Sequence, residues 1–434
     1  MKILILGSGG REHTFAWKIK QSPLCEKLYV APGNAGTGQI AENVNIQPTD
    51  FENLGKFCLE KGISIVLVGP EAPLVEGVRD YFENNSSLTS ICVIGPDKKG
   101  AQLEGSKDFS KNFMNKYGIP TAASKTFTAS SLNEGLQYLD SHTIPIVLKA
   151  DGLAAGKGVI ISEDRNHAKE VLKEMLQNRM FGEASSKVVI EQYLQGIELS
   201  IFVLTDGNSY ILLPEAKDYK RIGEADTGLN TGGMGAVSPV PFADKEFLKK
   251  VENKIIKPTL DGLKAEKINY IGFIFFGLMN MGGEPYVIEY NARMGDPETE
   301  VVIPRLENDF AEILLKISQK KLSEVNIKTS EQTATTVMLV AGGYPADYEK
   351  GKAISGLDKV SDVIVFHAGT KDNNGTIVTN GGRVISVTAL GKDIPDALKK
   401  SNKAAETINW DNKYFRRDIG LDLVALNQNT LKYN

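Results

Sequence analysis

The segment Glu289-Tyr-Asn-Ala-Arg-Met-Gly-Asp-Pro-Glu298 decides which fold this chain is predicted to have. It ends a strongly apolar stretch that is typical of a buried β-strand. Glu289 and Asn291 are two residues apart, so in a strand their side chains share one face and offer two hard oxygen ligands to Mg²⁺. Arg293 follows on the same side, where a guanidinium suits phosphate oxygens. The pattern favours a magnesium and nucleotide site over a solvated charge cluster at a strand end.

A glycine-rich segment closer to the N-terminus, Lys149-Ala-Asp-Gly-Leu-Ala-Ala-Gly-Lys-Gly158, is similar to a phosphate-binding P-loop. One spacing between glycines is a residue short, however, and Gly158 replaces the Ser or Thr that would bind the metal. The flanking residues 146–149 and 159–162 instead predict an antiparallel hairpin. Small residues at its tip let backbone N–H groups approach phosphates, and Lys149 adds a positive charge. We therefore predict a lid over ATP phosphates, with a flexible turn as the alternative.

A short connector follows the predicted strand at residues 188–192 and contains Glu191, Tyr193 and Leu194. Its free backbone groups fit the edge of an adenine, and Glu198 is placed to accept hydrogen bonds from ribose hydroxyls. A purely structural link explains these residues equally well when the connector is considered alone.

The N-terminal strand leads into the turn Gly7-Ser-Gly-Gly-Arg-Glu12, which opens a helix as a dinucleotide fingerprint does. Glu12 stands where the third glycine of that fingerprint belongs, and the next strand ends in Ala31-Pro32 without an acidic residue for a ribose hydroxyl. Both features disfavour an NAD-dependent oxidoreductase. Backbone amides in the turn can still hold a phosphate, and a plain strand-to-helix turn is the alternative. His13 either orients a ligand or lies on the helix surface.

The strand and helix patterns predict a multidomain protein of mixed α/β and α+β class. Residues 1–102 alternate short β-branched runs with amphipathic segments, which predicts a doubly wound parallel-sheet domain with a ligand crevice at its carboxyl edge. Residues 103–330 have longer strands and predict a second domain, with a lid subdomain at about residues 123–192. A polar stretch then precedes a β-rich C-terminal domain, residues 331–434, closed by a helix.

Composition restricts the possible partners. The 50 Lys and Arg residues oppose 54 Asp and Glu for a net charge of -4, so no broad positive surface favours nucleic acid. The longest apolar stretch, residues 271–281, is shorter than the ~20 residues that span a bilayer, and Gly7 interrupts the N-terminal apolar run too early for a signal peptide. Cys25, Cys58 and Cys92 form no metal-binding pattern and are expected to be buried free thiols. We expect a cytoplasmic enzyme that acts on small molecules, without a membrane or nucleic-acid partner.

Several motifs together resemble the glycinamide ribonucleotide synthetase family of carboxylate–amine ligases, which have the ATP-grasp fold. They follow one another along nearly the whole chain: Gly7-Ser-Gly-Gly-Arg-Glu-His13, Ala31-Pro-Gly-Asn-Ala-Gly-Thr37, Val68-Gly-Pro-Glu-Ala-Pro-Leu74, Gln102-Leu-Glu-Gly-Ser-Lys107, Lys149 to Gly158, Asn230-Thr-Gly-Gly-Met-Gly235, Gly295-Asp-Pro-Glu298, Phe366-His-Ala-Gly-Thr370 and Thr379-Asn-Gly-Gly-Arg383. There are two departures, since Tyr219 stands where the family has a histidine and Ala292-Arg-Met294 replaces a Cys-Arg-Phe segment. The strand at residues 271–278 also offers no carboxylate, although many ATP-grasp ligases take a metal ligand there.

The resemblance implies that residues 103–330 form an ATP-grasp domain. It implies a purine-biosynthesis ligase that uses ATP and Mg²⁺, or Mn²⁺, to join glycine to 5-phosphoribosylamine through glycyl phosphate. Glu289 and Asn291 would hold the metal. The implied nucleotide site consists of Lys107, Lys149, Ala154, Ala155, Gly156, Lys157, Gly158, Glu191, Tyr193, Leu194 and Glu198.

The resemblance also implies three catalytic residues. Arg293 would steady the acyl phosphate, while Asp218 and Asp296 would hold glycine and the sugar. The implied substrate contacts are Gly9, Gly10, Arg11, Glu12, His13, Pro70, Glu71, Asn230, Thr231, Gly232 and Gly233. Two other functions remain open at this point, an ATP-grasp ligase for a different acid and a nucleotide sensor without turnover. We expect a monomer.

Overall fold

The fold is described from a computed structural model, which covers residues 1–154 and 158–430. The N-terminal domain is a parallel sheet in the order β3-β2-β1-β4-β5 with helices around it, as predicted. The prediction missed β3, because two exposed residues leave no pattern. The elements are β1 Lys2–Gly7, α1 Gly10–Lys20, β2 Lys27–Pro32, α2 Thr37–Ile40, β3 Glu42–Asn43, α3 Phe51–Lys61, β4 Ile65–Val68, α4 Glu71–Glu76, α5 Val78–Asn84 and β5 Cys92–Ile94.

A small antiparallel sheet in the order β6-β9-β7-β8, covered by two helices, occupies the residues that we predicted to form the lid subdomain. The predicted hairpin is present, with Leu148 opposite Ile160. Its elements and the two helices before it are α6 Gln102–Gly105, α7 Lys107–Lys116, β6 Ser124–Thr128, α8 Leu132–Ser141, β7 Ile146–Ala150, β8 Val159–Ser162, α9 Arg165–Gln177 and β9 Lys187–Gln192.

The rest of the chain is organised around one eight-stranded sheet in the order β16-β15-β10-β11-β14-β17-β21-β18. Its first half and associated elements are β10 Ile197–Thr205, β11 Tyr210–Asp218, β12 Arg221–Gly223, β13 Thr227–Asn230, β14 Gly235–Ser238, α10 Lys245–Val251, α11 Lys257–Ala265, β15 Gly272–Met281, β16 Glu284–Asn291, α12 Thr299–Arg305 and α13 Phe310–Ser318. The C-terminal part contributes β17 Thr333–Val340, β18 Ile364–His367, β19 Thr370–Asn373, β20 Thr376–Thr379, β21 Arg383–Gly391, α14 Ile394–Thr407 and α15 Leu421–Thr430.

The sheet continues across the domain boundary that we predicted near residue 330. Strand β14 pairs with β17, placing Ala236 opposite Thr336. Backbone hydrogen bonds therefore connect the second and third predicted domains, and their relative orientation is fixed by strand pairing.

A shared hydrophobic core attaches the N-terminal domain to the long sheet. Phe15 of α1 stacks on Phe273 of β15, with 5.7 Å between ring centroids, and on Phe310 of α13 at 5.6 Å. All three rings are buried, and each contributes about 2 kcal/mol through removal of its apolar surface from water. The packing fixes the turn before α1 relative to β15, the neighbour of β16. No helix among the described residues is long and apolar enough to cross a membrane.

Candidate active site

The two predicted metal ligands lie near the end of β16. Glu289 is opposite Gly277 of β15, and Asn291 is opposite Phe275, so the regular alternation of the strand puts both side chains on one face. A Cβ atom at Gly277 would lie 3.1 Å from Cγ of Glu289. The glycine therefore leaves space for this carboxylate. One carboxylate and one amide oxygen fit a hard divalent cation whose remaining positions are filled by phosphate oxygens and water.

Two predicted phosphate-binding lysines lie close to this carboxylate. The Ser106 hydroxyl caps α7 by accepting from the N–H of Phe109, which fixes Lys107 in the first turn. Lys107 Nζ donates to the Gly152 carbonyl at 3.2 Å. Burial lowers the pKa of Lys107, and the negative charge of Glu289 opposes that effect only in part.

Lys149 points from β7 toward the same place. Its Nζ is 2.9 Å from Oε2 of Glu191 and 3.4 Å from the carbonyl of Ile288, the residue before Glu289. Burial acts to lower the pKa of Lys149, but Glu191 and Glu289 outweigh it, and the pKa lies above its ordinary value. Lys149 is therefore a charged ammonium group at neutral pH.

Glu191 is buried, and its side chain contacts lysines. Oε2 of Glu191 lies 2.9 Å from Nζ of Lys149 and 3.2 Å from Nζ of Lys111. The side chain thus orients Lys149, a contact that no local pattern in the sequence predicted. Tyr193 is exposed and Leu194 is buried directly after this strand, where the connector passes from the lid to β10.

Ala154 and Gly158 bound the tip of the lid hairpin. The N–H of Ala150 donates to the Gly158 carbonyl at 2.8 Å, and a Cβ at Gly158 would lie 2.7 Å from that of Ala154. The close approach leaves space only for glycine. Three further predicted residues, Ala155, Gly156 and Lys157, lie outside the described residues.

A second charged group combines Glu198 of β10 with Asp218, at the end of β11, and with Lys220. Lys220 Nζ lies 2.8 Å from Oε2 of Glu198 and 3.1 Å from Oδ1 of Asp218. Burial acts to lower the pKa of Lys220, but Asp218, Glu198 and Glu289 together hold it well above its ordinary value. Glu198 and Asp218 were predicted from the sequence, whereas Lys220 was not. The cluster of one carboxylate and two cations in Asp218-Tyr-Lys-Arg221 was the available signal.

Asp296 joins three parts of the chain. Its Oδ2 accepts a hydrogen bond from the backbone N–H of Arg11 at 3.2 Å, and its Oδ1 lies 2.9 Å from Nη2 of Arg383. Burial acts to raise the pKa of Asp296, whereas Arg383 and Arg11 outweigh it and leave it below its ordinary value. Arg383, another residue that the sequence analysis did not assign, also donates to the Gly232 carbonyl at 2.7 Å.

Arg293 is held between two carboxylates. Its Nη2 donates to Oε1 of Glu104 at 2.7 Å, and its Nε lies 3.4 Å from Oε2 of Glu71. Oε2 of Glu104 accepts from the N–H of Ala292 at 2.8 Å. These contacts connect the end of β16 to α6 and to Glu71, which opens α4 directly after Pro70. They bring the predicted residues Glu71 and Arg293 together.

Glu12 fills the N-terminal turn from inside. Its Oε2 accepts from the N–H of Gly9 at 2.6 Å, and its Oε1 accepts from Nε of Arg11 at 2.6 Å. A Cβ at Gly69 would lie 2.0 Å from Oε1, so this glycine makes room for the carboxylate. Glu12, whose position argued against an NAD site, therefore accepts a hydrogen bond from a backbone amide of the same turn.

His13 and Gly10 lie where the N-terminal turn meets the rest of the chain. The N–H of His367 donates to Nδ1 of His13 at 2.8 Å. Burial, and then the neighbouring His367, lowers the pKa of His13 to about 3, so the imidazole is neutral. A Cβ at Gly10 would lie 2.3 Å from Oε1 of Glu300. The turn thus contacts α12 and the C-terminal part directly.

The predicted loop at residues 230–233 closes over this region. The N–H of Thr231 donates to the Lys220 carbonyl at 2.7 Å, and that of Gly232 donates to the hydroxyl of Tyr344 at 2.9 Å. A Cβ at Gly233 would lie 2.4 Å from Cδ of Pro297. The loop that begins at Asn230 therefore packs directly on the segment after β16.

The arrangement is the one expected of an ATP-grasp ligase: a carboxylate and an amide at the end of β16, Lys149 from the four-stranded sheet, Lys107 from α7, and a parallel-sheet domain packed on the long sheet. Models of phosphoribosylglycinamide synthetase match three consecutive stretches, the N domain at residues 1–104, the ATP-grasp (A) domain at 105–299 and the C domain at 334–422. The chain belongs to this family.

Proteins of the same activity match along their whole length. The phosphoribosylamine–glycine ligase of Haemophilus influenzae is 48% identical over 425 residues, covering 97% of this chain and 98% of that protein. The ligase of Pasteurella multocida is 47% identical over 433 residues, covering 99% and 100%. The crystal structure of the Thermotoga maritima phosphoribosylamine–glycine ligase superposes with a TM-score of 0.83 at 34% identity, covering 96% of this chain and 100% of that one.

These findings confirm the function predicted from the sequence, an ATP-dependent ligase that joins glycine to 5-phosphoribosylamine through glycyl phosphate in purine biosynthesis. The biotin carboxylase of Campylobacter jejuni has a TM-score of 0.70 at 16% identity and shares the fold alone. The alternatives of a non-catalytic nucleotide sensor and of a ligase for a different acid are therefore rejected.

Proposed function

We propose that glycine is phosphorylated on the face of β16 that carries Glu289 and Asn291. Mg²⁺ held by these two residues would neutralise charge on the ATP phosphates, and Mn²⁺ suits the same ligands. Lys107 and Lys149 bind the phosphates as point charges from the lid side. Phosphoryl transfer needs mainly positioning and charge neutralisation, which this group of side chains supplies.

The charged group around Lys220 binds glycine. Glycine carries a carboxylate and an ammonium group, and the site offers an ammonium next to the carboxylates of Asp218 and Glu198. Lys220 attracts the substrate carboxylate, while Asp218 holds the substrate ammonium. The negative charge of Glu289 contributes to the raised pKa of Lys220, so the two side chains are near each other. This supports a position for the glycine carboxylate beside the proposed metal ligands.

Phosphoribosylamine binds between the N-terminal turn at residues 9–13, the pair Pro70-Glu71 and the loop at residues 230–233. Asp296 and Arg293 lie where these segments meet, which supports roles for Asp296 with the sugar and for Arg293 with the acyl phosphate. Closure of the lid hairpin would keep water from hydrolysing the acyl phosphate.

The proposal depends mainly on the position of Glu289. This residue lies opposite Gly277, and its charge acts on both Lys107 and Lys220. We expect Glu289→Gln to abolish ADP release in the presence of Mg-ATP, glycine and phosphoribosylamine generated in place, with the melting temperature unchanged. Glu284→Gln, the same change at the half-exposed start of β16, serves as the control and retains activity. Near-normal turnover by Glu289→Gln would remove this residue from the metal site.

The quaternary state and the cell compartment are further parts of the proposal. We propose that the protein is a monomer. We also propose a cytoplasmic location, since Cys25, Cys58 and Cys92 are all free thiols, as in reducing compartments. Light scattering after size exclusion would give one chain mass, and a mass of two chains would contradict the monomer. Activity restored with Mg²⁺ or with Mn²⁺ after chelation would identify the metals that support catalysis.

A further inference from the structure

An exposed hairpin connects two segments of the proposed substrate site. It consists of β12 and β13, residues 221–230, and we call it the flap. The flap follows Lys220 directly and ends at Asn230, where the substrate loop begins. Leu229 on the flap is 61% exposed, and Ile222 is only partly buried where it packs near Met234, so burial of the flap's own side chains holds it only in part.

The tip of the flap has an unfavourable backbone conformation. Ala225 has a φ of 54° and Asp226 a φ of 52°, and neither is a glycine. Left-handed backbone costs free energy for residues with a Cβ, and two consecutive cases persist only where neighbouring groups hold them. Contacts from outside the flap must therefore stabilise the tip.

Those contacts come from the segment before α15. Oδ2 of Asp418 accepts from the N–H of Ala225 at 2.7 Å, and Nη1 of Arg416 donates to Oδ1 of Asp226 at 2.6 Å. Nη1 of Arg416 also donates to the Arg221 carbonyl at 3.1 Å, at the base of the flap. One guanidinium thus contacts both the start of β12 and the tip of the flap.

Arg416 is fixed in turn. Its Nε and Nη2 donate to the two carboxylate oxygens of Asp418, each at 2.8 Å, and the side chain is 1% exposed. The guanidinium lies 5.3 Å from the ring centre of Tyr219, whose hydroxyl donates to Asp422 of α15. The segment at residues 416–422 therefore contacts the chain on both sides of Lys220.

We propose that Arg416 is a positioning residue for substrate binding, acting through the flap and Tyr219 on Lys220 and on the loop at residues 230–233. The inference rests on the substrate site proposed above. The Arg416 contacts named above are to the flap, to Asp418 and to Tyr219, and none of them is to Lys107 or Lys149. Loss of Arg416 should therefore weaken substrate binding more than nucleotide binding. Loss of Arg416 leaves the flap tip free to relax and moves both of its ends.

The test is Arg416→Lys, which keeps the charge and removes the planar fork that binds three groups at once. We expect KM for glycine or phosphoribosylamine to rise about tenfold, since small misplacements of binding groups have effects of that size. ATP affinity, measured by equilibrium titration without turnover, stays within about twofold. Arg417→Lys is the matched control, because the adjacent side chain is more than half exposed and lies 3.7 Å from Glu406.

Asp226→Asn provides a second variant if Arg416→Lys fails to fold, because the Asp226 side chain is half exposed. It should raise the same KM in the same direction with an unchanged melting temperature. Unchanged KM values for both substrates, or an equal loss of ATP affinity, would overturn the proposal. Lys220→Met distinguishes failure of the proposed glycine site from failure of the flap proposal. If it leaves KM for glycine unchanged, the glycine site is wrong; if it raises KM while Arg416→Lys does not, only the flap proposal fails.

Discussion

Replacing Glu191 by glutamine should destabilise the lid in a pH-dependent way. The carboxylate is the shared counter-charge of Lys149 and Lys111, at 2.9 Å and 3.2 Å, and the three side chains are 4–6% exposed. Glutamine keeps the shape of the side chain and removes its charge. A buried ammonium then remains without its closest partner, which is among the more costly changes a folded protein can suffer.

The size of the loss in free energy of unfolding depends on the pKa values of the two lysines. Burial already lowers the pKa of Lys111 to about 8 with Glu191 in place. Loss of Glu191 therefore adds little to the free-energy cost of burying Lys111. The pKa of Lys149 lies above 10.5, because Glu191 and Glu289 outweigh burial. In the variant Lys149 can at worst deprotonate, which costs about 1.4 kcal/mol for each pH unit below 10.5. Deprotonation of Lys149 alone therefore costs at most about 4 kcal/mol at about pH 7.5 and about 2 kcal/mol at about pH 9, and the stabilisation that Glu191 gives the charged lysine is lost in addition.

The direction of the pH dependence distinguishes the loss of a counter-charge from a simple loss of packing. A lysine whose pKa is lower in the folded than in the unfolded state destabilises more as the pH falls, so the loss should shrink from pH 7.5 to pH 9. Urea unfolding at both pH values measures it. Glu183→Gln is the control, because Glu183 forms an ion pair with Arg179 at an 83% exposed position and its loss should be undetectable. A loss that is the same at both pH values, or no larger than in the control, would refute the role of Glu191 as counter-charge.

Three further changes test other parts of the structure. Glu300→Gln should raise the free energy of unfolding at pH 8 more than at pH 5, since burial holds the pKa of Glu300 well above its ordinary value and folding then loses stability as pH rises. An advantage that is equal at both pH values would contradict this. Gly69→Ala should cost about 1–3 kcal/mol in urea unfolding, because its Cβ would displace Glu12, and an unchanged midpoint would show that Glu12 moves freely. Gly277→Ala should lower kcat for ADP release by displacing Glu289 while changing stability by less than about 1 kcal/mol. Retained kcat there would show that Glu289 tolerates the contact.

Local patterns in the sequence predicted much of the fold. The four longer strands of the N-terminal sheet and the lid hairpin lie where alternating and β-branched runs placed them, because those periods reflect burial of one or both faces. The same alternation predicted that Glu289 and Asn291 share a face. Strands β11 and β14 were missed, and with them the pairing that makes the large sheet continuous across residue 330.

The sequence by itself determined the order of motifs and the class of chemistry, and it predicted Glu289 and Asn291 as metal ligands, since these depend on residues close together in the chain. Only the tertiary structure decided which distant charges meet. Arg383 reaches Asp296, Arg416 holds the flap, and Glu191 contacts lysines from two other elements. Such pairs depend on which strands become neighbours and on which side chains lose contact with water, and neither is specified by local periodicity.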